Sequence, residues 1–370
     1  MAPLEHSLRK ALRRGFRGRP AIKRALLDAE LGLGLIKHEI GLRVPQVIRA
    51  KSRKLTVAIT AACNQRCMGC RYGRDFMPGH ELSLEMMRQL LDDAAAAGVE
   101  TVRIYGGEPL LHRDLPAMVR HAVDLGLSTY LTTNGLLLGA KIDDLYDAGL
   151  RSVTIGFYGM GAAYDRYVGA RGNHRQLEES LAAVRDRYGD AVGLQLNYLI
   201  MRPSATVAAL DDAWGFAQRW NMSFHTDLIH DALPYFTDGS DPELQMTAAE
   251  RPALQEVVDA LVRLKRLHPE KIPESERSLR SIPEWLYRDS GLKVPCDAYK
   301  LIWVGADGTV QLCYVTFKLG NLHERRLAEM LYTPAHHGAA RDAFALKCPN
   351  CHCERNHRVS RHLASRRRYR

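Results

Sequence analysis

The sequence contains no stretch of the roughly 18 uninterrupted apolar residues that a membrane helix needs, and its basic N-terminus lacks the apolar core and small-residue cleavage site of a secretory signal. Aromatic residues make up 7% of the chain. The Arg-rich ending "RHLASRRRYR" lacks the aromatic interleaving that stacks bases. These absences predict a cytoplasmic protein that does not bind nucleic acid. Disulfides do not persist in that compartment. The eight cysteines, gathered at 63–70 and 296–353, therefore point to metal or redox chemistry.

With 46% hydrophobic content, the 370 residues suffice for a large core. The net charge of +10 sits at the ends: residues 1–54 hold 14 Lys and Arg against 4 acids, and residues 355–370 hold 7 Arg and no acid. Removing +10 and +7 from the total leaves the body at −7. The basic excess therefore belongs to the termini, and the final segment reads as a solvated tail.

From Lys54 onward, short β-branched runs alternate with helical patterns. The strands are "KLTVAIT", "TVRIYGG", "STYLTTNG", "RSVTIGFYG", "VGLQLNYLIM" and "MSFHTDLI"; helices are expected from Ser83, Asp114, near Lys141, about His174 and about Thr206. Six βα-like units in series predict an α/β fold with a parallel sheet curled into a full or partial barrel, whose chemistry lies at the C-terminal strand ends. Directly after the first strand, "AACNQRCMGC" places Cys63, Cys67 and Cys70 in CxxxCxxC spacing. Three thiolates suit a 4Fe-4S cluster that keeps one iron open to a ligand. Zinc is the alternative, but structural zinc sites close with four ligands, often as paired CxxC knuckles, and no partner knuckle is adjacent.

These motifs resemble those of the radical SAM (S-adenosylmethionine) superfamily, in which CxxxCxxC follows the first strand of a partial (βα)6 barrel. "YGGEPLLH" matches that family's GGEP motif, implying that Gly106, Gly107, Glu108 and Pro109 receive the SAM ammonium through backbone groups. "TTNG" ends the third strand as in the family and brings Thr133 and Asn134 to the cofactor. By the same analogy Arg171 contacts SAM or substrate and Asn197 meets the ribose; each also reads as an ordinary surface or strand residue. Family members usually carry an aromatic residue before the third cysteine, where this chain has Gly69; Tyr72 or Met68 would have to fill that space. The resemblance implies that the reduced cluster splits SAM into methionine and a 5'-deoxyadenosyl radical, which removes a hydrogen atom from the substrate. The cofactor carries the chemistry and the protein positions it.

"CDAYKLIWVGADGTVQLC", followed by "CPNCHC", resembles the shorter, twitch type of SPASM extension. The resemblance assigns Cys296, Cys313, Cys348 and Cys351 to an auxiliary 4Fe-4S cluster, giving two clusters in all; a zinc site on the same four residues is not excluded by spacing. Cys353 is left over, either exchanging roles with Cys351 or serving as a hydrogen-atom donor to a substrate radical. The chain then divides into a basic helical segment (1–53), the barrel (54–232), a helical linker (233–295), the twitch-like β-hairpin and helix extension (296–354) and the Arg-rich tail (355–370). In the N-terminal segment, Ile22, Leu26, Ala29, Leu33, Ile36 and Ile40 form one apolar helix face, expected to dock on the barrel, with contact to an anionic membrane surface as the alternative.

The expected substrate is a small, polar, sugar- or aminocyclitol-like molecule undergoing dehydrogenation or epimerisation, with a flavodoxin- or ferredoxin-like electron donor. Radical modification of a peptide is the second reading, disfavoured because the N-terminal segment does not resemble the winged, strand-rich domain of many peptide-modifying relatives. A zinc-stabilised, nucleic-acid-associated protein using the basic ends is the third.

Overall fold

The six runs form six parallel strands, because their β-branched and aromatic residues fit a pleated surface buried on its outer side. The computed structural model describes residues 20–230, 242–287, 293–314 and 316–370. The strands are β1 (Lys54–Ala58), β2 (Thr101–Tyr105), β3 (Ser128–Thr133), β4 (Ser152–Phe157), β5 (Gly193–Ile200) and β6 (Ser223–Leu228). Each is joined to the next by helix: Leu84–Ala96, Leu115–Asp124, Leu138–Asp147, the pair Gly161–Val168 and Asn173–Tyr188, and Val207–Arg219. Ser83 and Thr206 cap their helices by accepting from the amides of Met86 and Ala209, satisfying donors that a helix start leaves open. The short helix Gly161–Val168 is not apparent in the sequence pattern. It ends at Gly169 with φ of +75° in the left-handed region.

The sheet does not stop at β1. Strand β7 (Leu301–Val304) pairs with β1 in parallel, Lys54 opposite Leu301 and Val57 opposite Val304. β8 (Thr309–Leu312) and β9 (Phe317–Asn321) follow antiparallel, giving one nine-stranded sheet in the order β6-β5-β4-β3-β2-β1-β7-β8-β9. The curved six-strand part is thus a partial barrel that continues into the C-terminal hairpin. Period-2 alternation sends Leu55, Val57, Val102, Ile104, Val153 and Ile155 outward under the helices. It turns Thr56, Arg103, Thr132, Thr154, Asn197, His225 and Asp227 toward an interior cavity.

Two expectations about the ends are reversed. The helix Pro20–Arg43 packs against the helix Arg355–Arg361, but not through its apolar face: Leu33, Ile36 and Ile40 are 68%, 58% and 45% exposed, and Ala29 is exposed as well. Ile22 is half-buried, and the side chain of Leu26 lies outside the described residues. The buried side instead carries His38, which bonds Asp297 at 3.0 Å, and Gly41, where a Cβ would stand 2.8 Å from Ile48 and 3.1 Å from Phe344. A glycine permits that approach, and the apolar pattern does not register it. The Arg-rich ending is also folded. Arg358 is fully buried, donating to the carbonyls of Cys351 and Val294 and to Asn350, with its guanidinium 4.5 Å from the Trp285 ring centre. Arg361 pairs with Asp297 and Arg368 with Glu284. Protein carbonyls and the buried carboxylate of Asp297 hold Arg358 and Arg361, whereas Arg368 stays half exposed.

Candidate active site

The loop after β1 is shaped by its own backbone and by the turn after β2. Gly107 N donates to Thr60 O and Glu108 N to Ala62 O, each at 2.8 Å. A Cβ on Gly106 would lie 2.4 Å from Thr60 O, and one on Gly107 2.2 Å from Ala62 O. The double glycine is therefore needed for two backbones to touch. Arg66 Nη1 donates to the carbonyls of Cys63 and Gln65, and Arg74 Nη2 to those of Arg66 and Cys67. Gly69, with φ of +71°, turns the chain between Cys67 and Cys70.

Cys63, Cys67 and Cys70 all line one cavity of about 730 Å³ that runs through the barrel interior. Burial pushes the Cys63 thiol up to about 11 and raises those of Cys67 and Cys70; the neighbouring sulfurs raise Cys63 and Cys67 further. Three neighbouring half-buried thiols lose their protons readily only beside a cation, so the donor set fits a metal cluster.

Gly106, Gly107, Thr133, Asn134 and Asn197 share that lining. The side chains of Glu108 and Pro109 are buried and do not line it. Glu108 accepts from Leu110 N (2.9 Å), Thr133 Oγ1 (2.7 Å) and Asn134 N (2.8 Å), tying the end of β2 to the end of β3. Asn134 Nδ2 in turn donates to Asn64 Oδ1 at 2.7 Å, tying β3 to the cysteine loop. Asn197 Oδ1 is buried without a hydrogen-bond partner, an acceptor left for a bound molecule. Arg171 is exposed in the turn between two helices, away from the lining. Tyr72 lines the cavity and Met68 does not.

A second, smaller cavity is lined by Cys296, Cys313, Cys348 and Cys351 together with Phe317, Leu346 and Arg358. Four thiols in an apolar shell with one guanidinium fit a cluster or a closed zinc site. Burial pushes Cys296 up to about 11, against the pull of Arg358. Cys353 lines the large cavity instead, with its Sγ 3.8 Å from His230 Nε2.

Several lining residues are not singled out by sequence motifs. Tyr158 and Tyr167 stack at 4.2 Å, forming an aromatic wall beside the cysteine loop. Lys54, Arg103, Gln195, His225, Glu274, Arg355 and His357 make the rest of the lining polar. His225 pairs with Glu274 at 2.8 Å, and that pairing lowers Glu274 to about 2 although burial opposes it. The alternating register of "FHTDLIH" is the signal that would have placed His225 and Asp227 on the inner face.

Residues 57–202 match the model of the Radical SAM superfamily. GTP 3',8-cyclase of Moorella thermoacetica is 36% identical over 156 residues, 40% of this chain and 47% of that protein. The chain thus spans just under half the length of that curated relative. The solved structure of native anSMEcpe with bound AdoMet and Cp18Cys peptide superposes with a TM-score of 0.58 at 16% identity, covering 79% of this chain and 83% of that one. Streptococcus suis SuiB superposes with a TM-score of 0.60 at 16% identity, covering 83% and 71%. Both likenesses establish the fold. Among the described residues, no helix is long and apolar enough to cross a membrane. The cysteine loop and the GGEP turn both lie inside the region, 57–202, that matches the Radical SAM superfamily model.

Proposed function

We propose that this chain is a radical SAM enzyme acting on a small, polar, sugar- or aminocyclitol-like molecule, by dehydrogenation or by inversion of a carbon centre. The observation that carries the reading is that Cys63, Cys67 and Cys70 open onto the same cavity as the polar side chains of β1 to β6. Cys63, Cys67 and Cys70 would hold a 4Fe-4S cluster, Cys296, Cys313, Cys348 and Cys351 an auxiliary one, and the Gly106–Gly107 turn with Thr133, Asn134 and Asn197 would receive SAM. When bound, this cofactor set supplies one-electron cleavage of SAM and hence hydrogen abstraction.

The chain's residues do the rest. Tyr72, Tyr158 and Tyr167 wall the cavity against water near the cysteine loop, where a radical must not meet solvent. Elsewhere in the lining, Arg103, Gln195, His225, Glu274 and His357 offer donors and acceptors suited to hydroxyl or amino groups. In the inverting case Cys353 gives a hydrogen atom to the substrate radical: its S–H bond breaks and a C–H bond forms. The resulting sulfur radical takes one electron from a flavodoxin- or ferredoxin-like donor and one proton from water.

The test is anaerobic, on reconstituted and reduced protein, and measures 5'-deoxyadenosine with candidate sugars, aminocyclitols and peptides. Production should rise with one of the small polar compounds, and the variant with Cys63, Cys67 and Cys70 all replaced by Ala should make none. Cleavage of SAM by that variant overturns the assignment; stimulation by peptides alone transfers the enzyme to peptide modification.

A further inference from the structure

Where β6 ends, the chain places Asp227 and then His230 beside His352, which arrives from the C-terminal segment between Cys351 and Cys353. One ligand atom from each of the three residues lies within 4.8 Å of the others. The imidazoles of His230 and His352 face each other with centroids 3.7 Å apart, and both residues are 7% exposed. All three line the large cavity.

The His352–Asp227 contact is a long ion pair rather than a hydrogen bond. His352 Nε2 is buried without a hydrogen-bond partner, and its approach to Asp227 Oδ1 is 3.6 Å, beyond hydrogen-bond length. Two atoms bound to one ion at about 2.1 Å and at roughly 90–109° are about 3.0–3.4 Å apart. The 3.6 Å separation is near that value and the other pairs lie within 4.8 Å, so side-chain rotations would close the set on an ion. Two buried imidazoles ring to ring beside a carboxylate that is 45% exposed make a compact donor set with one side open to the cavity.

We propose that Asp227, His230 and His352 form a mononuclear site for a divalent first-row cation, separate from both cysteine sets, with its remaining coordination positions open to the cavity. Two imidazoles and one carboxylate form the donor set that zinc and ferrous ion accept, and three protein ligands leave room for an exchangeable oxygen. The cation would bind a hydroxyl or carboxylate oxygen of the substrate next to Cys353, fixing which carbon faces that thiol. That use rests on the function proposed above; the cation site does not.

The experiment takes full-length protein with both cysteine sets loaded with iron and sulfide, exposes it anaerobically to Zn²⁺, removes loose metal and counts zinc and iron per chain. The expected result is about one zinc retained with iron unchanged. Asp227→Asn and His230→Gln should each weaken zinc binding at least tenfold by calorimetry while keeping the parent's iron. The proposal is overturned if the iron-loaded parent retains no zinc, if zinc enters only as iron leaves, or if both variants bind zinc as tightly as the parent. Should one variant lose iron as well, the other decides. Failure to cleave SAM with zinc still bound would overturn the proposed reaction and leave the cation site standing.

Discussion

Cys351 and Cys353 stand two residues apart and open onto different cavities, Cys351 onto the one it shares with Cys296, Cys313 and Cys348, and Cys353 onto the one it shares with Cys63, Cys67 and Cys70. Proximity in sequence makes them interchangeable as ligands; the cavities distinguish them. Cys353→Ala should therefore keep about eight irons per chain after anaerobic reconstitution, whereas Cys351→Ala should lose about four. Iron loss from Cys353→Ala of the same size would make Cys353 a ligand.

The outcome of the reaction follows from the same thiol. If the enzyme inverts a carbon centre, Cys353→Ala should still make 5'-deoxyadenosine and stop incorporating solvent deuterium into product. If it dehydrogenates, the variant should turn over normally to a ketone and the thiol is incidental. Product mass in deuterated water separates the two cases.

The Glu108 carboxyl predicts a stability effect with a definite pH dependence. Glu108→Ala leaves the buried amide of Leu110 and the amide of Asn134 without their acceptor. The loss should be about 3 kcal/mol, measured by urea unfolding. Burial pushes the carboxyl up to about 7 against the pull of its hydrogen bonds. A carboxyl raised in the folded state contributes fully below its ordinary 4.5, and that contribution fades as pH rises through about 7. The stability gap between parent and Glu108→Ala should accordingly narrow from pH 5 to pH 8. A widening gap would mean that the ionised form is the one the three donors hold.

The barrel was legible because β-branched runs and cap residues such as Ser83 and Thr206 are local signals, and the cysteine loop because its spacing is specific. Three kinds of feature were not. The pairing of β7 with β1 joins residues about 250 positions apart, and no local pattern encodes it. The His230–His352 contact depends on where the C-terminal segment returns. The burial of Arg358 and the pairing of Arg361 depend on acceptors elsewhere, the carbonyl of Val294 and the carboxylate of Asp297. In sequence, an arginine held by such partners looks the same as a solvated one.

The helix Pro20–Arg43 shows the same limit and gives the last prediction. Its apolar periodicity suggests docking through Leu33, Ile36 and Ile40, yet these side chains are exposed, and the buried contact runs through His38 and Gly41. Asp297, which His38 meets, is also held by Lys300 at 3.0 Å and by Arg361, so one buried carboxylate gathers the helix Pro20–Arg43, the turn just before β7 and the helix Arg355–Arg361. His38→Ala removes a buried hydrogen bond to a charged group and should cost about 1.5–3 kcal/mol. Gly41→Val should also destabilise, since its side chain would press on Ile48 and Phe344. Leu33→Lys with Ile36→Lys places charges where the side chains already meet solvent and should change stability by about 0.5 kcal/mol or less. Urea melts of the three variants against the parent provide the ranking. If the lysine pair is the costly change and His38→Ala is neutral, the helix docks by its apolar face and the contact with Asp297 does not hold it.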